Sequence, residues 1–592
     1  MMNIVHGPVR RGVLYVKSKL TERQFLLVAC VIVGATASLA AVTLKLLVFR
    51  LEELFFTHAA PGNVMWYQVL LPIVGIGVSS LLIVKVFKEF KKGNDKIVYA
   101  IAKNGANLPS SQIYSHIVTS SITVGLGGSA GLESPMVATG AAIGSNFGRL
   151  YFLPYKERTV LLACGIASGI ASAFSAPVAG VLFALEVLMI DITITTFIPL
   201  IISAATGALL ARMILGDEIL LSFRNLHPFN YSNTLFYVCI GILGGFCALY
   251  YARMYTWIEH KFEHLRTATH RWIWGSLLLA VLIFFLPPLF GEGYQTIRML
   301  ADNNSISNST GFLLHNFGTT WGLLLFLVAV ILMKVFATAF TVQGGGNGGS
   351  FAPALFIGGV LGFVIGKCFI LLGYEDVPVA NFVVAGMASM LSGVFFAPLT
   401  AIFLSAEITG GYSLIIPLML VAAISFFVVK SFEPLSMEMK KLSHTSRLNP
   451  SDKDKFLLSR LELTHMVGTD YLRFNTKTTL PEIARLISHD LNDVYAVTSE
   501  GNKLEGVIYL NDIKSLMLDY LDKNQYTTAT DVMIKQRFLT VNDDVETALY
   551  TFEQQNVSTL AVVTETGAWA GFITKAAILD RYRQEILQLS YN

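Results

Sequence analysis

Three short segments share the spacing Gly-x-x-x-Pro, which is typical of a turn that leads into a helix: Gly105–Pro109, Gly131–Pro135 and Gly349–Pro353. Proline suits the first helical turn, where its missing N–H has no partner to lose, and glycine lets the backbone approach a ligand closely. Helix N-termini carry free N–H groups and the positive end of the helix dipole. If these starts converge, they are predicted to bind an anion through partial charges, which suit rapid passage better than a full positive charge.

Glu133 lies inside the second segment, between apolar stretches. An ionisable side chain at membrane depth is costly and usually marks function. A protonated or displaced carboxyl would leave an anion path open, whereas an ionised carboxylate could itself take the place of an anion. The alternatives are a cap of its own helix or one half of a buried ion pair. No Lys or Arg lies near it in sequence, which favours a function.

The elements that position these residues are predicted to be membrane helices. Of the 592 residues, 54 % are apolar and 14 % charged, and the mean hydropathy is +0.59, whereas soluble domains carry about a quarter charged residues. These values exclude disorder, a coiled coil and an ordinary cytosolic enzyme. The net charge of +3 is small, so nothing indicates nucleic acid as a partner.

The charge is unevenly distributed along the chain. Roughly a quarter of residues 440–592 are charged, against roughly a tenth of those before them, which separates a soluble tail from a membrane unit. The predicted segments are a cytoplasmic N-terminus (1–24), a transmembrane domain (25–440), a linker (441–455) and two tail repeats (456–520 and 526–592). A basic stretch from Lys85 to Lys103 is predicted to stay in the cytoplasm, on the same side as the N-terminus.

Many apolar runs between residues 134 and 190 and between 350 and 408 are short or interrupted by Gly and Pro. A spanning helix needs about 20 residues. These runs therefore predict helices that end part-way through the bilayer, which is tolerated only where backbone is buried or lines a cavity. The predicted fold class is an α-helical polytopic membrane protein with broken helices, followed by a soluble α/β domain.

An internal repeat supports this fold class. Gly165–Ser168 recurs as Gly386–Ser389, and Glu186 recurs as Glu407, both 221 residues later. Residues 127–135 match residues 345–353, 218 residues later. Duplicated halves with interrupted helices are typical of transporters and channels, with the site at the repeat interface. The span count is too uncertain to decide from sequence whether the repeat is inverted. The tail is also duplicated, with buried strands predicted at 494–497 and 560–563.

The ordered set of motifs resembles the CLC family of chloride channels and proton/chloride exchangers, and the tail resembles the paired CBS domains of many members. The third family signature is intact at Gly349–Pro353. The second is partial, because Leu132 replaces a basic residue and Ser134 a glycine. The first keeps only Gly105 and Pro109.

The resemblance implies a homodimer in a lipid bilayer, with one pore per subunit built from an inverted repeat. It assigns Glu133 as the gating glutamate. It also assigns a set of anion contacts: Gly105, Ala106, Asn107, Gly131, Leu132, Gly349, Ser350, Phe351, Ala352 and Ser436.

Besides Leu132 and Ser134, three positions to which the family assigns a function depart from its pattern. Ala106 stands where the family has an anion-coordinating serine, and Ser436 where it has a pore tyrosine. Val187 replaces the inner proton glutamate of the exchangers, and valine cannot carry a proton. Glu186 cannot substitute for that glutamate, because neighbouring helical positions point about 100° apart. Its repeat partner Glu407 suggests a structural role for both, such as capping or dimer packing.

The leading hypothesis is passive, gated chloride conduction across the cell membrane. Proton-coupled chloride exchange is the first alternative, and Val187 argues against it. Fluoride handling is a second, because some fluoride-exporting relatives alter the first signature. A magnesium transporter is disfavoured because the membrane unit lacks acidic clusters, and an enzyme because catalytic motifs such as HExxH and GxSxG are missing from the sequence.

No cofactor is required by this reading, and no Cys/His spacing indicates a metal site. The CBS-like tail could hold an adenine nucleotide. Asp512 matches the family's ribose-binding aspartate, although Tyr509 replaces the threonine of that motif. In the second repeat Thr574 is present, and Ala577 replaces the aspartate. A purely structural tail that stabilises a dimer is the alternative.

Overall fold

The computed structural model describes residues 19–56, 68–90, 92–188, 194–216, 226–302, 320–374, 377–410, 412–446, 458, 461–518 and 526–591. The chain divides into two compact units, residues 1–442 and 443–592. Most of the predicted N-terminal segment 1–24 and of the predicted linker 441–455 lies outside the described residues.

The first unit is helical. Its helices, in chain order, are α1 (Glu22–Phe56), α2 (Leu71–Lys85), α3 (Asp95–Lys103), α4 (Gln112–Gly125), α5 (Glu133–Leu150), α6 (Tyr155–Phe174), α7 (Pro177–Leu188), α8 (Ile194–Leu215), α9 (Thr234–Glu263), α10 (Ala268–Phe285), α11 (Tyr294–Ala301), α12 (Thr320–Gln343), α13 (Phe351–Leu371), α14 (Val379–Phe395), α15 (Pro398–Ile408), α16 (Ile415–Phe432) and α17 (Met437–Ser446).

Long apolar helices dominate this unit. Within the described residues, eight helical stretches are long and apolar enough to cross a membrane. By contrast, α7, α14 and α15 have only 12, 17 and 11 residues, fewer than the roughly 20 that a span requires. The predicted mixture of spanning and broken helices is therefore confirmed.

The two halves of the unit contain the same helix crossing. A Cβ atom on Gly140 of α5 would fall 2.2 Å from the carbonyl oxygen of Gly165 on α6. A Cβ atom on Gly358 of α13 would fall 2.3 Å from the carbonyl oxygen of Gly386 on α14. Only small residues let two helix backbones approach so closely. Gly140 and Gly358 are 218 positions apart, and Gly165 and Gly386 are 221 positions apart, which are the two offsets of the sequence repeat. The internal duplication is therefore confirmed.

The repeated glutamates cap each other's helices. Glu186, near the end of α7, accepts hydrogen bonds from the backbone nitrogens of Leu399 (3.0 Å) and Thr400 (2.8 Å) at the start of α15. Glu407, near the end of α15, accepts them from Val178 (3.1 Å) and Ala179 (2.9 Å) at the start of α7. This reciprocal arrangement confirms the predicted capping role. A carboxylate at a helix start also interacts favourably with the positive end of the helix dipole.

The tail contains two units of the same topology. Its elements are β1 (Arg473–Asn475), α18 (Leu480–Ile487), β2 (Val494–Thr498), β3 (Leu504–Tyr509), α19 (Leu510–Leu518), α20 (Ala529–Val532), β4 (Leu539–Thr540), α21 (Val545–Gln555), β5 (Thr559–Val563), β6 (Trp569–Thr574) and α22 (Lys575–Tyr591). In each sheet the first strand is parallel and the third antiparallel to the middle one.

The middle strands β2 and β5 are buried along their whole length, as predicted. The two repeats also share a core. Ala496 and Val507 of the first repeat pack in one cluster with Ala561 and Phe572 of the second. The duplicated α/β tail that the sequence predicts is therefore present as a packed pair.

Candidate functional site

Two of the three predicted helix starts lie side by side. Gly131 and Gly349 form an antiparallel pair, with N–H···O distances of 2.9 and 2.8 Å. This pair joins the turns that lead into α5 and α13. A Cβ atom on Gly349 would fall 2.5 Å from Ser134 Oγ, so a side chain there would separate the turns.

The carboxyl group of Glu133 lies between these two helix starts. Glu133 is 3 % exposed. Its Oε1 accepts a hydrogen bond of 2.5 Å from the Tyr294 hydroxyl. A Cβ atom on Gly131 would fall 2.1 Å from its Oε2 and 3.0 Å from the backbone nitrogen of Ala352. Among the described residues, Oε2 makes no hydrogen bond. The carboxylate thus sits where free N–H groups at the start of α13 could otherwise meet an anion.

Sequence reasoning missed the charged neighbours of Glu133. Lys45 of α1 faces both Glu133 and Glu292, and its ammonium also donates to the carbonyl oxygen of Ala173. Glu292 accepts a 3.2 Å hydrogen bond from the backbone nitrogen of Leu132. The signal was available, because a lysine inside an apolar helix is rare enough to suggest a function. These residues are far from Glu133 in sequence, so only the fold shows that they lie near it.

The third predicted start, Gly105–Pro109, does not join the other two. Ser145 of α5 binds this turn, because its Oγ donates to Ala106 O (2.7 Å) and accepts from Leu108 N (2.9 Å). Asn107 accepts instead from Arg158 at 2.7 Å. Ser145 lies twelve residues after Glu133, roughly 18 Å along the helix axis.

Contrary to the prediction, the structure does not bring Gly105, Ala106 and Asn107 to the paired helix starts. The physical reason is the length of α4, whose 14 residues carry the chain about 21 Å. This helix separates the turn before it from the turn that holds Gly131. Matching spacing identified a turn of the same type but not its position.

A different turn lies at the site. Gly93 has φ of +94° and precedes Asn94 and Asp95 at the start of α3. This turn lines a cavity of about 100 Å³ together with Ser134, Ser350 and other residues of the paired starts. It follows a run of lysines and has no proline, which is why the Gly-x-x-x-Pro pattern did not find it.

The same cavity is rich in ionisable groups. Its lining includes Lys92, Glu259, Glu438 and Lys441. The Lys92 ammonium donates to the carbonyl oxygens of Gly346 (2.6 Å) and Val342 (3.2 Å). Burial, together with the nearby cations Lys441 and Arg271, lowers the pKa of Lys92 to about 7. Glu259 accepts from Lys441 at 2.5 Å and from Gln343 at 3.0 Å.

Two other predicted positions are Ser436, which lies near the cavity, and Val187, which lies in the core. Ser436 is 8 % exposed and accepts a long hydrogen bond of 3.4 Å from Met439 N, so its side chain caps α17. The residues that follow it, Met437 and Glu438, line the cavity. Val187 is buried on α7 and offers no group that could hold a proton.

The tail contains a cavity of about 950 Å³. Asp512 lines it, together with the basic side chains of Lys535 and Arg537. Thr574 is not in that lining, and its Oγ1 accepts from Ala577 N at 3.0 Å as the cap of α22. Tyr509, which replaces the expected threonine, lines the cavity and donates to Gln536 at 2.8 Å.

Two family models match this chain. Residues 75–430 match the voltage gated chloride channel family, and residues 529–584 match the CBS domain. A ClcB-like chloride channel protein of Ralstonia nicotianae is 29 % identical over 398 residues, which cover 65 % of this chain and 89 % of that protein. The voltage-gated ClC-type chloride channel ClcB of Escherichia coli is 27 % identical over 422 residues, which cover 68 % of this chain and 95 % of that protein.

Solved structures share the fold. A slow cyanobacterial Cl⁻/H⁺ antiporter matches with a TM-score of 0.61 and 22 % identity, over 72 % of this chain and 98 % of its own. A eukaryotic CLC transporter matches with a TM-score of 0.60 and 17 % identity, over 93 % of this chain and 97 % of its own. A CLC-type fluoride/proton antiporter matches with a TM-score of 0.55 and 22 % identity, over 70 % of this chain and 95 % of its own.

Proposed function

We propose that this chain, which belongs to the voltage gated chloride channel family, conducts chloride passively across a membrane. We also propose that Glu133 is its gate. The observation that carries the proposal is the position of the Glu133 carboxylate. A Cβ atom on Gly131 would fall 2.1 Å from Glu133 Oε2 and 3.0 Å from Ala352 N at the start of α13, and Gly131 pairs with Gly349. An ionised carboxylate there competes with chloride for the same N–H groups.

The anion contacts proposed for this path are the N–H groups and turns of the two paired starts, from Gly131 and Leu132 and from Gly349, Ser350, Phe351 and Ala352. The Gly93–Asp95 turn takes the place of the Gly105 turn. Ser436 stays a proposed position at the inner end of the path, because the residues after it line the cavity. Backbone dipoles bind chloride without the full charge that would slow its release.

Proton-coupled exchange is the second candidate. The antiporters among the similar structures raise it, and one feature of this chain favours it. Glu259 is a carboxylate in the cavity that Tyr255 and Ser350 also line. Under this second candidate, Glu259 would supply the carboxyl group that Val187 lacks. Fluoride handling was suggested by Ala106. That residue is not part of the lining of this cavity, so it does not support fluoride handling here.

The test is chloride efflux from liposomes that hold the purified full-length chain, with a pH probe inside. A chloride gradient is imposed without a proton gradient. We expect chloride loss without coupled proton movement, and Glu133→Gln should remove the part of the pH dependence of flux that comes from the gate. Glu53→Gln, on an exposed glutamate paired with Arg50, is the matched control. Uphill proton movement that Glu133→Gln abolishes would overturn passive conduction, and Glu259→Gln would then test the inner proton site.

We further propose that the tail cavity binds an adenine nucleotide. Lys535 and Arg537 suit phosphate groups and Asp512 suits a ribose hydroxyl, and all three line the cavity. Thr574 has no part in this proposal, because it caps α22. Binding of fluorescent ATP to the full chain should weaken at least tenfold in Asp512→Ala. Equal affinity in Asp512→Ala and in Asp580→Ala, a tail aspartate outside the lining, would contradict it.

A further inference from the structure

Residues 291–294 bring two side chains to the start of α5. The Tyr294 hydroxyl donates to Glu133 Oε1 at 2.5 Å. Glu292 Oε1 accepts from the backbone nitrogen of Leu132, the residue before the gate, at 3.2 Å. Two consecutive residues of the gate turn are therefore held by one short segment that follows about 160 positions later in the chain. We call residues Gly291–Tyr294 the latch segment.

The latch segment has little freedom to move. Gly293 has φ of +93°, and a Cβ atom there would fall 2.3 Å from the ring of Phe356. The buried ammonium of Lys334 donates to the carbonyl oxygens of Leu289 (3.2 Å) and Gly291 (2.9 Å). Gly291 N also donates to Gly127 O at 3.3 Å. The Tyr294 hydroxyl is thus presented from a fixed backbone rather than from a loose loop.

Charged groups surround the contact. Lys45 of α1 faces both carboxylates. Glu52 of α1 and Lys334 of α12 face Glu292. Among the described residues, the Tyr294 hydroxyl is the side chain that donates a hydrogen bond to Glu133, whose Oε2 has no hydrogen bond of good geometry. For Glu133 to leave the path, this bond has to break.

We propose that Tyr294 is a latch that holds the ionised Glu133 in the anion path, and that Glu292 is a positioning residue that fastens the latch segment to the start of α5. The inference rests on the proposed gating function of Glu133 and adds what sets the balance between the closed and open gate. A hydrogen bond to a charged acceptor is stronger than one between neutral groups. Its loss is expected to shift that balance toward the open gate about tenfold or more.

Chloride efflux from liposomes, measured between pH 4.5 and 8, tests the latch. Tyr294→Phe removes only the hydroxyl. We expect it to raise flux at neutral pH by up to about tenfold and to move the pH of half-maximal flux upward by about one unit. Tyr250→Phe is the matched control, because that hydroxyl donates to Leu332 O at 3.0 Å, away from the gate. Unchanged flux and an unchanged pH midpoint in Tyr294→Phe would overturn the latch.

Two further comparisons keep the outcome decisive. In a Glu133→Gln background, Tyr294→Phe should change flux by less than twofold, because no ionised gate remains to be held. Glu292→Gln keeps the acceptor for Leu132 N and should change flux less than Glu292→Leu, which should resemble Tyr294→Phe. If Tyr294→Phe does not elute as a folded particle, equal flux in the two Glu292 variants overturns the proposal.

The latch and the proposed function fail in different ways. A parent chain that moves no chloride overturns the proposed function. A parent chain whose flux responds to Glu133→Gln but not to Tyr294→Phe overturns the latch alone.

Discussion

Among single residues, Glu133 is the one whose importance the sequence predicts and whose surroundings it does not. Its place in a Gly-x-x-x-Pro turn suggested a gate. The structure adds Tyr294 as a hydrogen-bond donor and Lys45 as a facing cation. Lys45 is a nearby cation of both Glu133 and Glu292, and its ammonium donates to the carbonyl oxygen of Ala173.

Lys92 gives a pH-dependent prediction at the cavity. Burial lowers its pKa to about 7, so the ammonium is charged below that pH and neutral above it. A charge this close to the path attracts anions by about 1 kcal/mol, or roughly fivefold in local concentration. We expect chloride flux to fall several-fold as the pH on the Lys92 side rises through 7, and Lys92→Met to remove this dependence.

The measurement is efflux from liposomes with the pH set separately on each side. Lys88→Met is the control, because Lys88 is an exposed lysine of the same basic stretch. A Lys92→Met chain that keeps the parent's pH dependence would exclude Lys92 as its source.

Among elements, the short helices α7 and α15 are held by exchanged caps. Glu186 and Glu407 each accept two backbone hydrogen bonds from the helix of the other half. Loss of a helix cap costs about 0.5–2 kcal/mol. We expect Glu186→Ala and Glu407→Ala to lower the thermal midpoint of the detergent-purified chain by similar amounts.

The glutamine variants provide the control for the caps. Gln keeps one acceptor oxygen, so Glu186→Gln should fall between the parent and the alanine variant in thermal midpoint. Neither substitution should create or remove proton movement. A proton signal that depends on Glu186 would contradict its purely structural role.

The glycine crossings of the two halves should be equally intolerant of a side chain. Gly140→Ala and Gly358→Ala each place a methyl group within about 2.3 Å of a backbone oxygen, and such overpacking costs about 1–3 kcal/mol. We expect both variants to lower the thermal midpoint. Gly366→Ala is the control, since its nearest neighbour would be a side-chain atom 3.3 Å away. A normal midpoint in Gly140→Ala would mean that the crossing relaxes.

For the whole molecule, we propose a homodimer with the N-terminus and the CBS-containing tail in the cytoplasm. The basic stretch from Lys85 to Lys103 supports that orientation. The mass of the purified particle, corrected for detergent, should be twice the 64.8 kDa of one chain. A monomeric mass would exclude the dimer. Protease added outside intact cells should leave the tail uncut, and cleavage of the tail would reverse the orientation.

By itself, the sequence determined the class of the protein, because composition, broken apolar runs and a fixed repeat offset are properties of the chain that any fold must satisfy. It also singled out Glu133 and the turns that contain Gly131 and Gly349, because glycine and proline constrain the backbone locally.

Only the tertiary structure decided which turns meet. The Gly105 turn has the right spacing, but α4 carries it to the far end of α5, while the Gly93 turn reaches the site without the motif. Lys45, Glu292 and Tyr294 likewise come near the gate only through the packing of distant helices. Contacts between residues more than 80 positions apart depend on how whole helices pack, and local backbone preference carries no information about that packing.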